Sequence, residues 1–368
     1  MFKRFQLYFK NFDWILFAAV ILLIIFGLVE IYSVALGQGT LDLLNFQKQI
    51  LFAFLGIVAL FFFAFIDSYF LRSIGNYLYI LGVLSLGAVL IFGTAIRGTK
   101  GWFYLFGFNL QPVEFVKITF IVFLAAFFAY LATRVKTLPH FIFSALSAAL
   151  PIFLVLLQPD FGSALMIGAI WLVMIVAAGF PKKYYFMVGL SLALLTAIFW
   201  LFIFQDYQKN RILDFFNPSA NIQASGYNIS QAIIAVGSGG LTGKGVGFGS
   251  QSQLKFLPEA QTDFIFAVIA EELGLLGVIL VLGFYAIFFL RCYRALWKIN
   301  NDFGVYFLIG AGGLIFIQMF INIGMNLGIM PVVGLPLPFV SYGGSSLISL
   351  LIAVGIIQNI IIKSKISY

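Results

Sequence analysis

The chain is written in long apolar runs cut by short polar breaks. Ten runs approach the length that crosses a bilayer core at a helix rise of about 1.5 Å per residue. They fall at 14–34, 48–66, 74–95, 112–132, 140–157, 162–179, 184–204, 263–290, 303–330 and 338–362. This pattern predicts an all-α, polytopic membrane protein with about ten transmembrane helices, forming a single integral membrane domain over 1–368. The ninth run carries Gly310, Gly312, Gly313, Gly324 and Gly328, which predicts a bend or tilt. No internal repeat is visible, which argues against an inverted-repeat transporter. The one long polar stretch, 205–262, separates the seventh and eighth runs.

Charge orients these spans. Lys3, Arg4, Lys10, Arg72, Arg134, Lys136, Lys182, Lys183, Arg291, Arg294, Lys298, Lys363 and Lys365 all fall on one side if the N-terminus is cytoplasmic. Short cytoplasmic loops collect Lys and Arg, so both termini are expected in the cytoplasm and segment 205–262 outside. Arg97 and Lys100 break that rule in a short outer loop, and Lys48 opens a helix on the same side.

Composition removes the other classes. Of 368 residues, 62% are hydrophobic and 9% charged, and the mean hydropathy is +1.09. A soluble domain carries about 25% charged residues, so a soluble, disordered or disulfide-scaffold protein is excluded. The net charge of +8 does not point to nucleic acid, because the basic residues form no stripe. A lone Cys292 excludes an internal disulfide or a thiolate metal cluster. The lone His140, beside Pro139 at a helix entrance, reads as an interfacial side chain. No cleavable signal is apparent, because the run 14–34 is too long for a signal core and lacks a small-x-small cleavage site.

The scarce polar residues gather at the outer ends of the spans. Arg97, Lys100 and Trp102 precede the fourth span, and Gln111, Glu114 and Lys117 begin it. Gln158 and Asp160 sit between the fifth and sixth. Glu259, Gln261, Thr262 and Asp263 open the eighth, and Ser341, Tyr342 and the small residues Gly343–Ser346 open the tenth. Intramembrane charge is costly and usually faces a protein interior or a wet cavity, so the clustering predicts a polar site open to the outside, with lipid access from the side. Glu114 and Lys117 share a helix face at a spacing of three. Pro112 suits the first turn, where Glu114 meets the positive helix end; an ion-paired cap and a functional role are equally compatible with that. Asp160 reads as an N-cap. Asp263 could also cap, but Thr262 competes for the cap and leaves Asp263 freer for chemistry. Glu271 and Glu272 point about 100° apart; they read as structural and as unable to face one small site together.

The stretch Gly237–Gly249 reads GSGGLTGKGVGFG and invites a phosphate-loop reading. It fails the Walker A spacing at both ends; its glycines suit a re-entrant or closely packed loop. An outer site of carboxylates and cations suits a polar head group on a lipid tail. Arg97, Lys100 and Lys117 are able to neutralise phosphates, and a carboxylate to act as general base on a hydroxyl. A divalent cation, Mg or Mn, held by Asp and phosphate oxygens is compatible with the same residues. These features do not separate an enzyme from a lipid flippase.

Five stretches carry a resemblance: GTKGW at Gly98–Trp102, LQPVEFVK at Leu110–Lys117, QPDFGS at Gln158–Ser163, Gly226–Gly274 with GSQSQLKFLPEAQTDFIFAVIAEELG, and GLPLPFVSYGGSS at Gly334–Ser346. In these the chain resembles the SEDS family (shape, elongation, division and sporulation), its elongation branch more than its division branch. Position 101 is Gly where the family often has Arg or Ser, and 113 is Val where Ser is usual, which removes one polar group near the expected diphosphate. The resemblance implies a peptidoglycan glycosyltransferase of the bacterial cytoplasmic membrane, polymerising lipid II at its outer face during cell elongation and releasing undecaprenyl diphosphate. It implies Asp263 as the catalytic residue. The substrate-binding residues it leads us to expect are Arg97, Lys100, Trp102, Glu114, Lys117, Asp160 and Ser341. It also implies, as partners, the growing glycan strand, a class B penicillin-binding protein with transpeptidase activity, and other elongation-complex membrane proteins. A flippase or a scaffold of the elongation machinery are the alternatives. The almost purely apolar cytoplasmic halves of the spans argue against a translocation path.

Overall fold

The computed structural model describes residues 2–37, 43–96, 98–105, 107–134, 136–198 and 225–366. Its helices are α1 (Phe2–Asn11), α2 (Trp14–Leu36), α3 (Leu44–Phe65), α4 (Ser68–Phe92), α5 (Pro112–Leu131), α6 (Leu138–Leu156), α7 (Phe161–Ala178), α8 (Lys182–Ile198), α9 (Ser225–Ser238), α10 (Ser250–Gln253), α11 (Ile265–Leu296), α12 (Asp302–Asn326) and α13 (Gly344–Ile366). Among the described residues, nine helices are long and apolar enough to cross a membrane. The chain is a multi-pass, essentially all-α membrane protein. The expected span 184–204 corresponds to α8, which is described only as far as Ile198. The remainder of that span and residues 205–224 lie outside the described residues, as does Arg97.

Two elements depart from expectation. Helix α1 is too short and too polar to read as a span, so hydropathy passed over it. The expected loop before α5 is a three-stranded antiparallel sheet of β1 (Thr94–Ile96), β2 (Thr99–Leu105) and β3 (Phe108–Leu110). Ile96 pairs with Thr99 and Leu105 with Phe108. Gly98 and Gly107, each just before the following strand, hold positive φ of 82° and 84°, a conformation that glycine takes without strain.

One end of the bundle is locked by charge. The carboxylate of Asp13 caps α2 and accepts a two-pronged contact from Arg291 of α11, at 2.6 Å from Nη2 and 2.9 Å from Nε. Gln358 of α13 exchanges hydrogen bonds with the Asp13 backbone at 2.9 and 3.0 Å. Lys363 pairs with Asp67 at the α3–α4 junction. These joints bring the basic loops to one end, as the charge pattern predicted for the cytoplasmic side. At the α6 entrance His140 makes a capping box with Thr137, its Nδ1 lying 2.9 Å from Thr137 Oγ1.

The other end is built around a broken helix. Gly274 interrupts α11 with φ 64° and ψ −160°. At membrane depth each freed backbone group needs a partner, and the glycine-rich loop supplies them. Lys244 N and Gly245 N donate to the carbonyls of Glu271 and Glu272 at 3.0 and 2.9 Å, while Leu275 N and Leu276 N donate to Gly240 O and Leu241 O at 3.0 and 3.2 Å. The loop lies so close that a Cβ on Gly239 would stand 1.8 Å from the Ala270 carbonyl oxygen. This is the physical reason for the glycines, and it bears out a closely packed loop. The two acids expected to face apart are both gripped by it. Ser252 N donates to Glu271 at 3.2 Å and Ser252 Oγ to Glu272 at 3.2 Å; one loop residue reaches both, which corrects the expectation that they are unable to face one small site together. Gly239→Val should therefore cost at least the about 1–3 kcal/mol typical of overpacking. The expected reading is a large loss of the monodisperse peak in detergent size-exclusion chromatography, with a control substitution at the open Gly237 leaving it intact.

Candidate active site

Asp263 lies on the turn that enters α11. The N-cap position is Phe264, whose own side chain makes no cap. Thr262 Oγ1 turns to Glu259 Oε2 at 3.1 Å. The buried N–H of Ala267, which also reaches Phe264 O at 3.0 Å, is met from another helix by Asn326 Oδ1 at 3.1 Å. Asn326 Nδ2 and Asn322 Nδ2 both donate to the Asp263 carbonyl, at 3.0 and 2.9 Å. One face of α12 thus clamps the backbone of Asp263 and leaves its half-buried carboxylate to face elsewhere. It faces Gly334, where an added Cβ would lie 3.6 Å from Asp263 Oδ2.

The loop 331–343 is held against the same clamp. Asn322 Nδ2 donates to Leu335 O at 2.7 Å and Gln318 Nε2 to Pro336 O at 2.9 Å. Gln318, Asn322 and Asn326 recur every four residues, one face over successive turns. The row can be read in the sequence, but the backbone groups it meets lie far along the chain and no helix pattern displays them. Ser341 is buried in this loop. Its hydroxyl donates to Thr262 O at 2.5 Å and accepts from Leu337 N at 2.7 Å. It ties the Asp263 turn to the loop and keeps no spare donor for a ligand. Gln261, Asn45 and Gln49 complete the tie, through Asn45 Nδ2 to Gln261 Oε1 at 2.8 Å and Gln49 Nε2 to Ser341 O at 3.1 Å. Glu259 and Phe339, one on each strand of this knot, hold positive φ of 56° and 65°, strain of the kind that collects at functional sites. Burial pushes the neighbouring Tyr342 hydroxyl above its usual range, keeping it a neutral donor.

Asp160 is brought to the same end. It caps α7 through Ser163 N at 2.9 Å, as expected, and its other oxygen accepts from Ser163 Oγ at 2.8 Å and Gln111 Nε2 at 3.2 Å. Gln111 N in turn donates to Ser345 Oγ at 2.9 Å, and Gly162 abuts Val333 O. The entrances of α5, α7 and α13 therefore converge beside the loop that faces Asp263. Glu114 and Lys117 form a 2.8 Å ion pair just inside α5, at 5% and 1% exposure. Lys100 is exposed on β2 and Trp102 half-buried. Their strand reaches the same rim, since a Cβ on Gly101 would lie 3.2 Å from Gln158 Oε1. Glycine at 101 lets the hairpin sit against that glutamine. Among the described residues no three His, Cys, Asp or Glu side chains are grouped to hold a metal ion.

This arrangement matches a known family along the chain. The sequence profile of the FtsW/RodA/SpoVE group, described as cell cycle protein, covers residues 13–366. The chain belongs to the FtsW/RodA/SpoVE family. Among its relatives, the peptidoglycan glycosyltransferase MrdB of Escherichia coli K12 is 39% identical over 290 residues, 77% of this chain and 76% of that protein. The stage V sporulation protein E of Bacillus subtilis is 36% identical over 95% of this chain and 96% of its own length. A solved RodA, the rod shape determining protein of Thermus thermophilus, superposes with a TM-score of 0.71 at 29% identity, over 95% of this chain and 96% of that one. A chain from a peptidoglycan synthase complex that coordinates polymerization and crosslinking reaches a TM-score of 0.80 at 28% identity, over 96% of this chain and 98% of that one.

In this FtsW/RodA/SpoVE chain the asparagine clamp carries a direct expectation. Asn326→Ala removes a donor to the Asp263 carbonyl and an acceptor for Ala267 N. Each group keeps a second partner, Asn322 Nδ2 for the carbonyl and Phe264 O for the N–H, so the stability cost is the about 0.5–1.5 kcal/mol of ordinary hydrogen bonds, whereas a displacement of about 1 Å at a reacting group is able to cost about 10²-fold. Glycan polymerisation should fall by about one to two orders of magnitude while the protein still folds, as read by turnover and thermal unfolding of the same preparation.

Proposed function

We propose that this chain is a peptidoglycan glycosyltransferase that polymerises lipid II at the outer face of the bacterial cytoplasmic membrane, in cell elongation. The observation that carries the reading is the Asp263 turn: a carboxylate at the outer end of the bundle, with its backbone clamped by two asparagines and an oxygen turned to the loop at Gly334. Family membership and the named activity of the MrdB relative support it. In the proposed reaction Asp263 removes the proton from the acceptor sugar hydroxyl as that oxygen attacks the anomeric carbon of the donor. The bond to undecaprenyl diphosphate breaks, and a single displacement inverts the anomeric centre. Arg97, Lys100 and Lys117 are the cations we assign to the leaving diphosphate, the last from its pair with Glu114. Trp102, Glu114, Asp160 and Ser341 would shape and order the substrate pocket. A divalent cation would be held with help from Glu114 or Asp160 and would supply charge stabilisation to the leaving diphosphate.

The polar side chains inside the bundle support an enzyme over a flippase. Gln318, Asn322 and Gln358 donate to backbone carbonyls and Lys117 to a carboxylate, so they do not line a path across the membrane. A class B penicillin-binding protein is the partner we propose, supported by the likeness to a complex that coordinates polymerization and crosslinking. The test is the purified chain with fluorescent lipid II, with and without that partner and with and without Mg or Mn. Glycan ladders are the expected product. Translocation of lipid II in vesicles without polymer would replace this reading with the flippase one, and activity of neither kind with the scaffold one.

A further inference from the structure

The glycine-rich loop has its polarity inside out. Its polar groups turn inwards to two fully buried acids. Lys244 Nζ and Gln251 N donate to Glu271 at 2.8 and 2.9 Å, and Gly247 N and Gln253 Nε2 to Glu272 at 3.1 and 3.2 Å. Its large apolar side chains turn outwards: Leu241 is 71% exposed, Phe248 77% and Leu254 64%. A loop standing in water favours the reverse arrangement.

Two helices give the height of this loop, and both are measured from the Asp13–Arg291 joint at the cytoplasmic end. Helix α2 leaves the joint at Trp14 and ends at Leu36, a rise of about 34 Å. The hydrocarbon core is about 30 Å thick, so Leu36 stands at its outer boundary. A Cβ on Gly247 would lie 3.8 Å from Leu36 Cδ1, which puts that part of the loop at the same boundary. On α11, Leu276 stands about 22 Å above Arg291. Leu276 N donates to Leu241 O at 3.2 Å, so Leu241 sits below the boundary. Beside it Leu275 and Leu276 are exposed on a spanning helix, as is Leu36 beside Gly247. The apolar surface of the loop thus continues the lipid-facing surface of α2 and α11. Lys255, next to Leu254, is also exposed; a lysine at this level extends its charge to lipid phosphates while its stem stays apolar.

We propose that the loop 239–256 is re-entrant and binds the outer leaflet, with Leu241, Phe248 and Leu254 among the acyl chains and Lys255 at the headgroup phosphates. Through Glu271 and Glu272 the leaflet then holds the half-helix Ile265–Leu273, whose entrance carries Asp263, at a set depth. The proposal stands on the polarity of the loop and the lengths of two helices, and does not depend on the glycosyltransferase reading.

The test uses the full chain, alone, in vesicles of phosphatidylethanolamine and phosphatidylglycerol. Cys292 is buried, so a nitroxide label goes to the cysteine introduced in Leu241→Cys, Phe248→Cys or Leu254→Cys. Leu280→Cys, at an exposed position of α11, is the lipid reference, and Asn109→Cys, exposed on β3, is the aqueous one. Oxygen concentrates among acyl chains and a nickel chelate in water. At all three loop positions the ratio of oxygen to nickel accessibility should match Leu280→Cys and exceed Asn109→Cys severalfold. A ratio like that of Asn109→Cys at any of the three places the loop in water and overturns the proposal. Exclusion of both reagents means that protein covers the loop, a second copy in this preparation, and overturns it too. If a substitution disturbs the fold, the unsubstituted chain answers in vesicles whose lipids carry a diazirine on the acyl chain. Photolysis should leave lipid adducts on peptide 239–256 as well as on the exposed positions of α11, and adducts on α11 alone overturn the proposal.

Discussion

Asp263→Asn should fold as the wild type does and lose glycan polymerisation by about 10²–10⁴-fold, the usual contribution of a general base. The two halves of that expectation rest on different atoms. The fold is kept because the clamp from Asn322 and Asn326 grips the carbonyl of residue 263, which an asparagine still presents. Activity is lost because an amide has no basic oxygen for the acceptor hydroxyl proton. Turnover of labelled lipid II and a thermal unfolding curve on one preparation check both. Full activity in the variant would end the assignment of Asp263 as base, and a collapsed fold would show that the carboxylate is structural.

The second large effect is expected at the Glu114–Lys117 pair. With exposures of 5% and 1% and a separation of 2.8 Å, each charge is tolerated only because the other is there. Removing one partner of a buried pair costs about 3–5 kcal/mol, whereas replacing both by residues of like volume is often close to neutral. Glu114→Gln should thus unfold at markedly lower temperature. Adding Lys117→Met to it should recover most of that loss, as a double-mutant cycle in detergent reads directly. Polymerisation should not recover with the fold, because the doubly substituted protein has lost a cation assigned to the diphosphate. A double variant that regains both would make the pair purely structural.

Much of the frame was legible in the chain. Lipid accepts only closed backbone, so apolar runs bounded by charge mark helices directly, and α2, α5 and α7 fall within about two residues of expectation. The sheet at 94–110 was not legible, because its short strands sit among loop-like polar residues and its pairing is specified by two glycine turns. The candidate site was half legible. Asp160, Glu114 and Asp263 stood out as acids at span ends, and all three lie at the outer end of the bundle. Ser341 stood out too, but its hydroxyl is spent inside the knot it ties. Asn322 and Asn326 escaped notice because their roles depend on contacts to residues 59 and 63 positions away, which a helix pattern does not display.

The break at Gly274 is mended by residues 240–245, which precede it in the chain. The turn at Asp263 is mended by α12 and by the loop 331–343, which follow it. A chain is synthesised from its N-terminus and earlier parts assemble first. The inner end of the half-helix is therefore finished as it emerges from the ribosome, and its outer end waits for α12 and the loop 331–343. The carboxylate proposed as the base takes up its position late in biogenesis, so chains cut short before residue 322 would carry every acid of the candidate site and none of the clamp that holds it.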